Sequence, residues 1–467
     1  MSSACRQLNR VFGRTHPTVE ARRALLLTKG VTMTARIHRH SRRNSRAAAL
    51  GAAAFTAALA LAACAAPGGR AATDPVADRP AADAWAASNL ARSLNDAGFR
   101  IFHASLADGE NTSVSPLSIG LAFGMLDAGA TGPVADALDG LFAYPSTGDA
   151  RLGAFNSLDL LASSEPAGLP TPATGEPDHA IVRVANRVFI DTNFAPLDNY
   201  RNDLARYFGA GAQTEPLATD GSTSAKDINA WVKKRTEGLI PTLVTPRAFN
   251  ADSRLTLVNT LYMKAKWQTP FEHDSTSDEP FTLTGGTTAD VPMMHSGSQH
   301  GDVYQGDHFV AVALPYAYDE LSMTLIVPDA GAYTDVESAL NQSMLDAIDA
   351  GATGTAYTLA LPKFTTESTT DLRDVIKNKL GVDALFDTVG LDGIGPKLLV
   401  SGAVHATKVI VDEDGTEAAA ATAIMVAGAS APGDPPIEIR ADHPFLYVIR
   451  DADTGAVLFV GRVLDPR

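Results

Sequence analysis

The sequence of 467 residues is long enough for one large domain or for two or three smaller ones. Its net charge of −15 hides an asymmetry: residues 1–63 carry 11 Lys and Arg against one acid, and the rest 27 against 52, a balance of −25 that excludes an electrostatic nucleic-acid binder. Its two cysteines, Cys5 and Cys64, exclude a disulfide framework and a cysteine-built metal site, so stability must come from core burial, which a chain with 45% apolar residues can supply.

The basic start, residues 1–63, reads as a signal region. Arg36, Arg39, Arg42, Arg43 and Arg46 precede a largely apolar run over residues 47–63, which is the charged and apolar order of an export signal. That run is short and alanine-rich for a membrane span. Met33 is a candidate true start. The run ends in Leu61-Ala62-Ala63-Cys64, which resembles a bacterial lipobox; the resemblance implies acylation of Cys64, against the alternative of an ordinary signal with an incidental cysteine. Residues 65–80, AAPGGRAATDPVADRP, have no periodicity and read as a flexible tether. Acylated at Cys64, residues 64–80 would hold a domain of residues 81–467 roughly 20 Å or more from a membrane surface. The expected place is outside the cell, on the outer face of the membrane or envelope or released from it.

In chain order, residues 89–106 have helical spacing, with Leu90, Leu94, Phe102 and Leu106 on one stripe. Ser115 is placed to cap a second helix whose first turn holds Pro116 and which runs to Gly129. Residues 163–179 read as a loop and 181–190 as a strand. A helix is predicted within 224–242, ending near Gly238 and Pro241, and a buried strand over 255–262. Residues 310–316 and 321–328 read as a strand pair, 357–361 as a strand, 372–380 as a helix, and 445–463 as two strands around Asp453-Thr454-Gly455. With no internal repeat or long linker after residue 81, one α+β domain with large mixed or antiparallel sheets follows.

No pattern of catalytic residues carries an enzyme reading. Gly-x-Ser-x-Gly, His-Glu-x-x-His and phosphate-loop patterns are absent, and Thr223-Ser-Ala-Lys226 has threonine where Ser-x-x-Lys requires serine. His295, His300 and His308 are close in sequence, but their glycine-rich surroundings read as a surface loop rather than a metal site. Ser115 and His405 could act as nucleophile and base; without an oxyanion motif, membership of a buried polar cluster is the better reading. No cofactor and no metal is called for.

The informative stretch is residues 413–436, EDGTEAAAATAIMVAGASAPGDPP. Residues 416–429 contain no proline and one charge, and Pro432, Pro435 and Pro436 follow. A central strand excludes proline, and Thr416, Ala418, Ala420, Thr422, Ile424, Val426 and Gly428 form an uncharged alternate set fit for a buried face. An alanine-rich helix or a low-complexity linker is the alternative on composition alone.

The run Glu413-Asp414-Gly415-Thr416-Glu417-Ala418-Ala419-Ala420-Ala421-Thr422 resembles the hinge of an inhibitory serpin. Residues 111–132, Ile228-Asn-Ala-Trp-Val232 with Thr236 and Gly238, Leu257-Val-Asn259 with Tyr262 and Lys264-Ala-Lys-Trp267, Pro292-Met-Met294, Leu314-Pro-Tyr316, Leu361-Pro-Lys-Phe364, Val400-Ser401 with His405, and Ala441-Asp-His-Pro-Phe445 through Gly461-Arg462 follow serpin blocks in serpin order. They cover essentially all of residues 89–467.

The resemblance implies three β-sheets, eight or nine helices and an exposed reactive-centre loop over about 413–436. A monomeric suicide inhibitor is implied, not an enzyme. A target serine protease cleaves the loop, and the freed segment enters the main sheet while the protease is held as an acyl-enzyme; a cysteine protease is a further candidate. Fourteen strand residues span roughly 45 Å, enough to cross a large sheet. Counting from Glu413 as inhibitory members do puts the reactive bond at Ala429-Ser430, whose small residue suits elastase-like or subtilisin-like enzymes. Ser115, Ser118, Asn259 and His405 match the shutter, where the sheet must part, and Trp267 matches the breach, where insertion begins. The alternative within the same fold is a non-inhibitory binding or chaperone-like protein.

Overall fold

The computed structural model describes residues 78–162, 180–416 and 435–467. The signal region, Cys64, the 163–179 segment, hinge residues Glu417, Ala418, Ala419, Ala420, Ala421 and Thr422, and the Ala429-Ser430 bond lie outside the described residues. Among those described, no helix is long and apolar enough to cross a membrane.

The expected α+β architecture is built around a six-stranded sheet. Its strands are β1 (Ile181–Asp191), β2 (Ala212–Glu215), β3 (Leu255–Lys266), β4 (Phe364–Asp371), β5 (Val400–Val411) and β6 (Gly415–Thr416). They lie in the order β4-β5-β6-β3-β1-β2. A run of buried residues from Leu255 to Met263 suits β3 to a position covered on both faces. The antiparallel β1–β3 pair runs the full strand length, from Ile181 opposite Lys264 to Ile190 opposite Leu255. The β4–β5 pair runs from Phe364 opposite Val411 to Asp371 opposite Val404.

The middle of the sheet is different. Parallel pairing of β5 with β3 starts at Val400 opposite Leu255 and ends at Ala406 opposite Thr260. Beyond it, the two-residue β6 sits between them, with Thr416 opposite Val411 on β5 and opposite Ala265 on β3. Among the described residues, 261–264 of β3 and 407–410 of β5 therefore have no ladder toward one another.

Ten further strands form a second hydrogen-bonded run: Thr112–Val114, Val457–Val463, Phe445–Asp451, Leu321–Pro328, Phe309–Pro315, Gln299–Gln305, Thr353–Pro362, Thr288–His295 and Ser277–Thr282, with Ile437–Arg440 parallel on Thr353–Pro362. The three expected sheets thus take the form of one sheet of six strands and one run of ten whose two parts meet at Gln299–Gln305. The described residues include eight α-helices of seven residues or more.

Helix α1 (Ala84–Ser105) buries Leu90, Leu94 and Phe102 as its spacing predicts. Helix α2 (Pro116–Asp127) is buried from Pro116 to Leu126 and begins at the Ser115 cap, whose side chain accepts the Ser118 N–H. Glycine makes so close an approach possible: a Cβ at Gly120 would lie 2.4 Å from Leu94, and one at Gly124 would lie 2.4 Å from Phe155.

Three local expectations are corrected. The helix expected to end near Gly238 and Pro241 spans Gly221–Arg235. Thr236 ends it: its Oγ1 donates to the Val232 carbonyl and accepts from the Ile240 N–H, and left-handed Glu237 and Gly238 turn the chain. The 372–380 helix is α-helical only over Leu372–Asp374 and widens to a π-turn at Val375–Lys379. His295 and His300 are strand residues rather than members of one loop, because both belong to paired strands; His295 bonds Glu279 at 2.6 Å. His308 alone sits in a turn, at φ +66°. Among the described residues no group of three metal-ligating side chains forms.

The hairpin of Phe445–Asp451 and Val457–Val463 is closed by Thr454, whose N–H and hydroxyl donate to Asp451 Oδ1 at 2.7 and 2.5 Å. Burial pushes the Asp451 pKa up to about 6, although the Thr454 bonds oppose the shift. A carboxyl whose folded pKa is raised stabilises the fold below its ordinary value near 3.9 and loses that contribution as pH rises through about 6. Asp451→Asn keeps the acceptor and removes the buried charge. Thermal unfolding midpoints at pH 5 and pH 7.5 should therefore differ less in this variant than in the natural chain, with the gain at pH 7.5.

Candidate functional site

Two clusters lie on the line along which β5 and β3 part. The first sits where their pairing ends. His405 on β5 is opposite Asn259 on β3. Its Nδ1 bonds Asn259 Oδ1 at 2.5 Å, and its Nε2 accepts the backbone N–H of Ser115 at 2.9 Å. A nitrogen that accepts an N–H carries no proton, so the ring is neutral with its hydrogen on Nδ1. Burial of the whole side chain pushes its pKa down to about 3.

Ser115 Oγ is turned to the start of α2, where it accepts the Ser118 N–H. Ser118 Oγ donates to Asn186 Oδ1 at 3.2 Å, and Asn186 Nδ2 donates back to the Ser118 carbonyl at 3.1 Å. Asn186 lies on β1 directly opposite Asn259. A second pair continues the cluster: Thr407 Oγ1 donates to the Ser113 carbonyl at 3.0 Å and lies 2.7 Å from Ser113 Oγ. Four strands and one helix end thus meet through polar side chains. Ser115 and His405 join through backbone rather than hydroxyl, so this is no nucleophile and base pair. The structure brings Ser115, Ser118, Asn259 and His405 into one network; Asn186, Ser113 and Thr407 were missed, because their partners are distant in sequence.

The second cluster holds the chain as it leaves β5. Asp412 Oδ1 accepts the N–H groups of Asp414 and Gly415, and its own N–H donates to the Gly415 carbonyl, folding a tight reversal. Trp267 grips that turn twice, through its backbone N–H to the Asp414 carbonyl at 2.9 Å and its Nε1 to the Asp412 carbonyl at 3.0 Å. Its ring stacks on Tyr316 with centroids 4.5 Å apart. Tyr316 in turn bonds the hydroxyl of buried Thr416 at 2.7 Å.

Glu413 is buried, with Lys363 Nζ 2.8 Å away, a bond from Thr276 Oγ1, and its carbonyl taking the Phe271 N–H. Burial works to raise its pKa, but Lys363 and the other donors outweigh it and hold the carboxyl below its ordinary range. For Asp412 burial wins and the pKa is raised. Gly415 has no substitute here: a Cβ would lie 2.1 Å from the Ala265 carbonyl oxygen. Of the expected residues Glu413, Asp414, Gly415, Thr416 and Trp267 come together. Tyr316, Lys363, Thr276 and Asp412 join them with no role foreseen; the first three have partners distant in sequence, whereas Asp412 folds the turn locally.

Two outcomes follow. His405 should show no ring titration between pH 5 and 8 by NMR; with its folded pKa depressed, its contribution is present above 6.5 and is lost as pH falls toward 3. Lys363→Met should weaken the hold on the turn by about 2 kcal/mol, read as roughly 30-fold faster hydrogen exchange at the Phe271 amide.

A family model described as "Serpin (serine protease inhibitor)" matches residues 92–466. An uncharacterised serpin-like protein of Thermococcus kodakarensis is 30% identical, over 81% of this chain and 86% of its own length. A protein of Cyanea capillata named serine protease inhibitor is 32% identical, over 76% of this chain and 93% of its own. Among solved structures, a highly specific serpin of the insect Tenebrio molitor matches with a TM-score of 0.70 at 26% identity, covering 81% of this chain and 98% of that one.

Proposed function

The chain belongs to the serpin family, whose members are generally protease inhibitors, and from that premise we propose that it is a suicide inhibitor of extracellular serine proteases. The observation that carries this reading is β6: the first two strand residues of the loop already lie between β5 and β3, directly above an unpaired interval. Insertion needs only to extend a strand that has begun.

Its register follows from the present pairing. With Thr416 opposite Ala265 and opposite Val411, continuing antiparallel places Thr422 opposite both Asn259 and His405. These two residues face each other now, so both ladders agree on the slot. Val426 then reaches Leu255 at the far end of β3, and Ala429 lies beyond the strand end, where an attached protease would be carried.

In the chemistry, the protease serine oxygen attacks the Ala429 carbonyl carbon while its base takes the hydroxyl proton. Collapse of the tetrahedral adduct breaks the bond to the Ser430 nitrogen, which leaves with that proton. The acyl-enzyme remains bonded to Ala429. New ladder hydrogen bonds, each worth about 1 kcal/mol net, drive insertion, so the uncleaved fold is a kinetic trap. The small residue at Ala429 favours elastase-like or subtilisin-like targets, and a cysteine protease passes through a comparable acyl intermediate. Acylation of Cys64 would keep the inhibitor at the outer cell surface as a monomer on a tether.

Incubation with elastase-like and subtilisin-like enzymes should give an adduct that survives a denaturing gel. Cleavage without an adduct across such enzymes would instead leave a binding or chaperone-like role. Thr416→Arg places a charge where the native side chain is 2% exposed and bonded to Tyr316. It should turn inhibitor into substrate, raising the number of molecules cleaved per protease trapped at least tenfold; an unchanged ratio contradicts insertion.

A further inference from the structure

If the loop is to occupy the full length of β3, the lower ladder between β5 and β3 must open last, and its end is built in an unusual way. Regular pairing is interrupted between Val400 and Gly402. The residue at the irregularity, Ser401, fills the break with its side chain. Its Oγ accepts the N–H groups of Arg254 and Leu255 at 3.0 and 3.3 Å and donates to the Leu255 carbonyl at 2.9 Å.

We propose that Ser401 is a lock at the lower end of the sheet, a positioning residue that sets how fast β5 separates from β3; the proposal rests on the inhibitory reading above. The hydroxyl makes three contacts across the strand boundary where backbone pairing is missing. On its other side β3 is anchored to β1, since the Asp191 N–H donates to the Arg254 carbonyl at 2.9 Å. Residues 254 and 255 are therefore held from both flanks, and parting the sheet here releases the Ser401 side while the β1 side stays. Gly402, next in β5, leaves room beside Thr256, whose Oγ1 would lie 3.3 Å from an added Cβ.

The lock differs from the His405 cluster in one testable respect. It involves no helix, only Ser401 of β5 with residues 254 and 255 at the start of β3, so it stabilises only the closed sheet. Once a strand lies between β5 and β3, Ser401 and Leu255 are no longer neighbours, and the hydroxyl has nothing left to hold.

The experiment adds a synthetic peptide with the sequence of residues 416–429, TEAAAATAIMVAGA, to the full chain and follows uptake by native gel. Ser401→Ala should take up peptide about five- to tenfold faster, the effect of losing roughly one net hydrogen bond. Ser401→Thr, which keeps the hydroxyl, should return to within twofold of the natural rate. The thermal unfolding midpoint of the loop-cleaved form should be the same in all three. Equal uptake rates for Ser401→Ala and the natural chain overturn the lock alone, as does an equal loss of stability in the cleaved form. A natural chain that takes up no peptide overturns the inhibitory reading and the lock with it. If Ser401→Ala does not fold, hydrogen exchange in the natural chain decides: protection of the Leu255 amide equal to that of Val258 supports the lock, and exchange as fast as that of a solvent-exposed amide overturns it.

Discussion

The structure depends on a ladder that stops halfway. β5 and β3 pair in parallel over their lower residues and then separate, although each stays fully paired to its other neighbour. Backbone N–H and C=O groups are obligatory hydrogen-bonding partners, so a strand pair that parts inside a sheet leaves a demand for a third strand. Two residues, Gly415 and Thr416, meet that demand at one end. The residues at the junction, Asn259, Thr260, His405, Ala406 and Thr407, are small or polar and buried.

Electrostatics explains why the turn after β5 is stable in so acidic a chain. Asp412, Glu413 and Asp414 are consecutive carboxylates, which would repel one another if left bare. Asp412 is occupied by two backbone N–H groups, and Glu413 by Lys363 and Thr276. The two side chains thus point to different partners, and only Glu413 is paired with a cation. The result is a fixed anchor at the start of residues 413–436.

Much of this was legible in sequence because it is local. Ser115 before Pro116 reads as a cap and is one, the alternation over 181–190 reads as a strand and is one, and the run 255–262 reads as a buried strand and is so. The alternation of Thr416 and its followers, with proline withheld until Pro432, is likewise a property of neighbouring residues. What stayed hidden is long-range. Tyr316 is 100 residues from Thr416, and Asn186 is 68 residues from Ser118; no spacing rule links them. Thr236 shows a different limit, since the apolar periodicity continues past it while its hydroxyl returns to the preceding turn and stops the helix. The histidines near residue 300 misled because glycine beside them suggested a loop where cross-strand pairing governs.

Gly415, pressed against the Ala265 carbonyl, has a consequence for how such a protein diversifies. The anchoring end of the loop is sterically frozen, whereas thirteen residues separate Gly415 from Ala429. Recognition and anchorage are therefore modular. On the inhibitory reading proposed above, exchanging the residues around position 429 would retarget the molecule without touching its anchor, so libraries for altered selectivity belong at the far end of the ribbon, and the first residues after β5 should be left as they are.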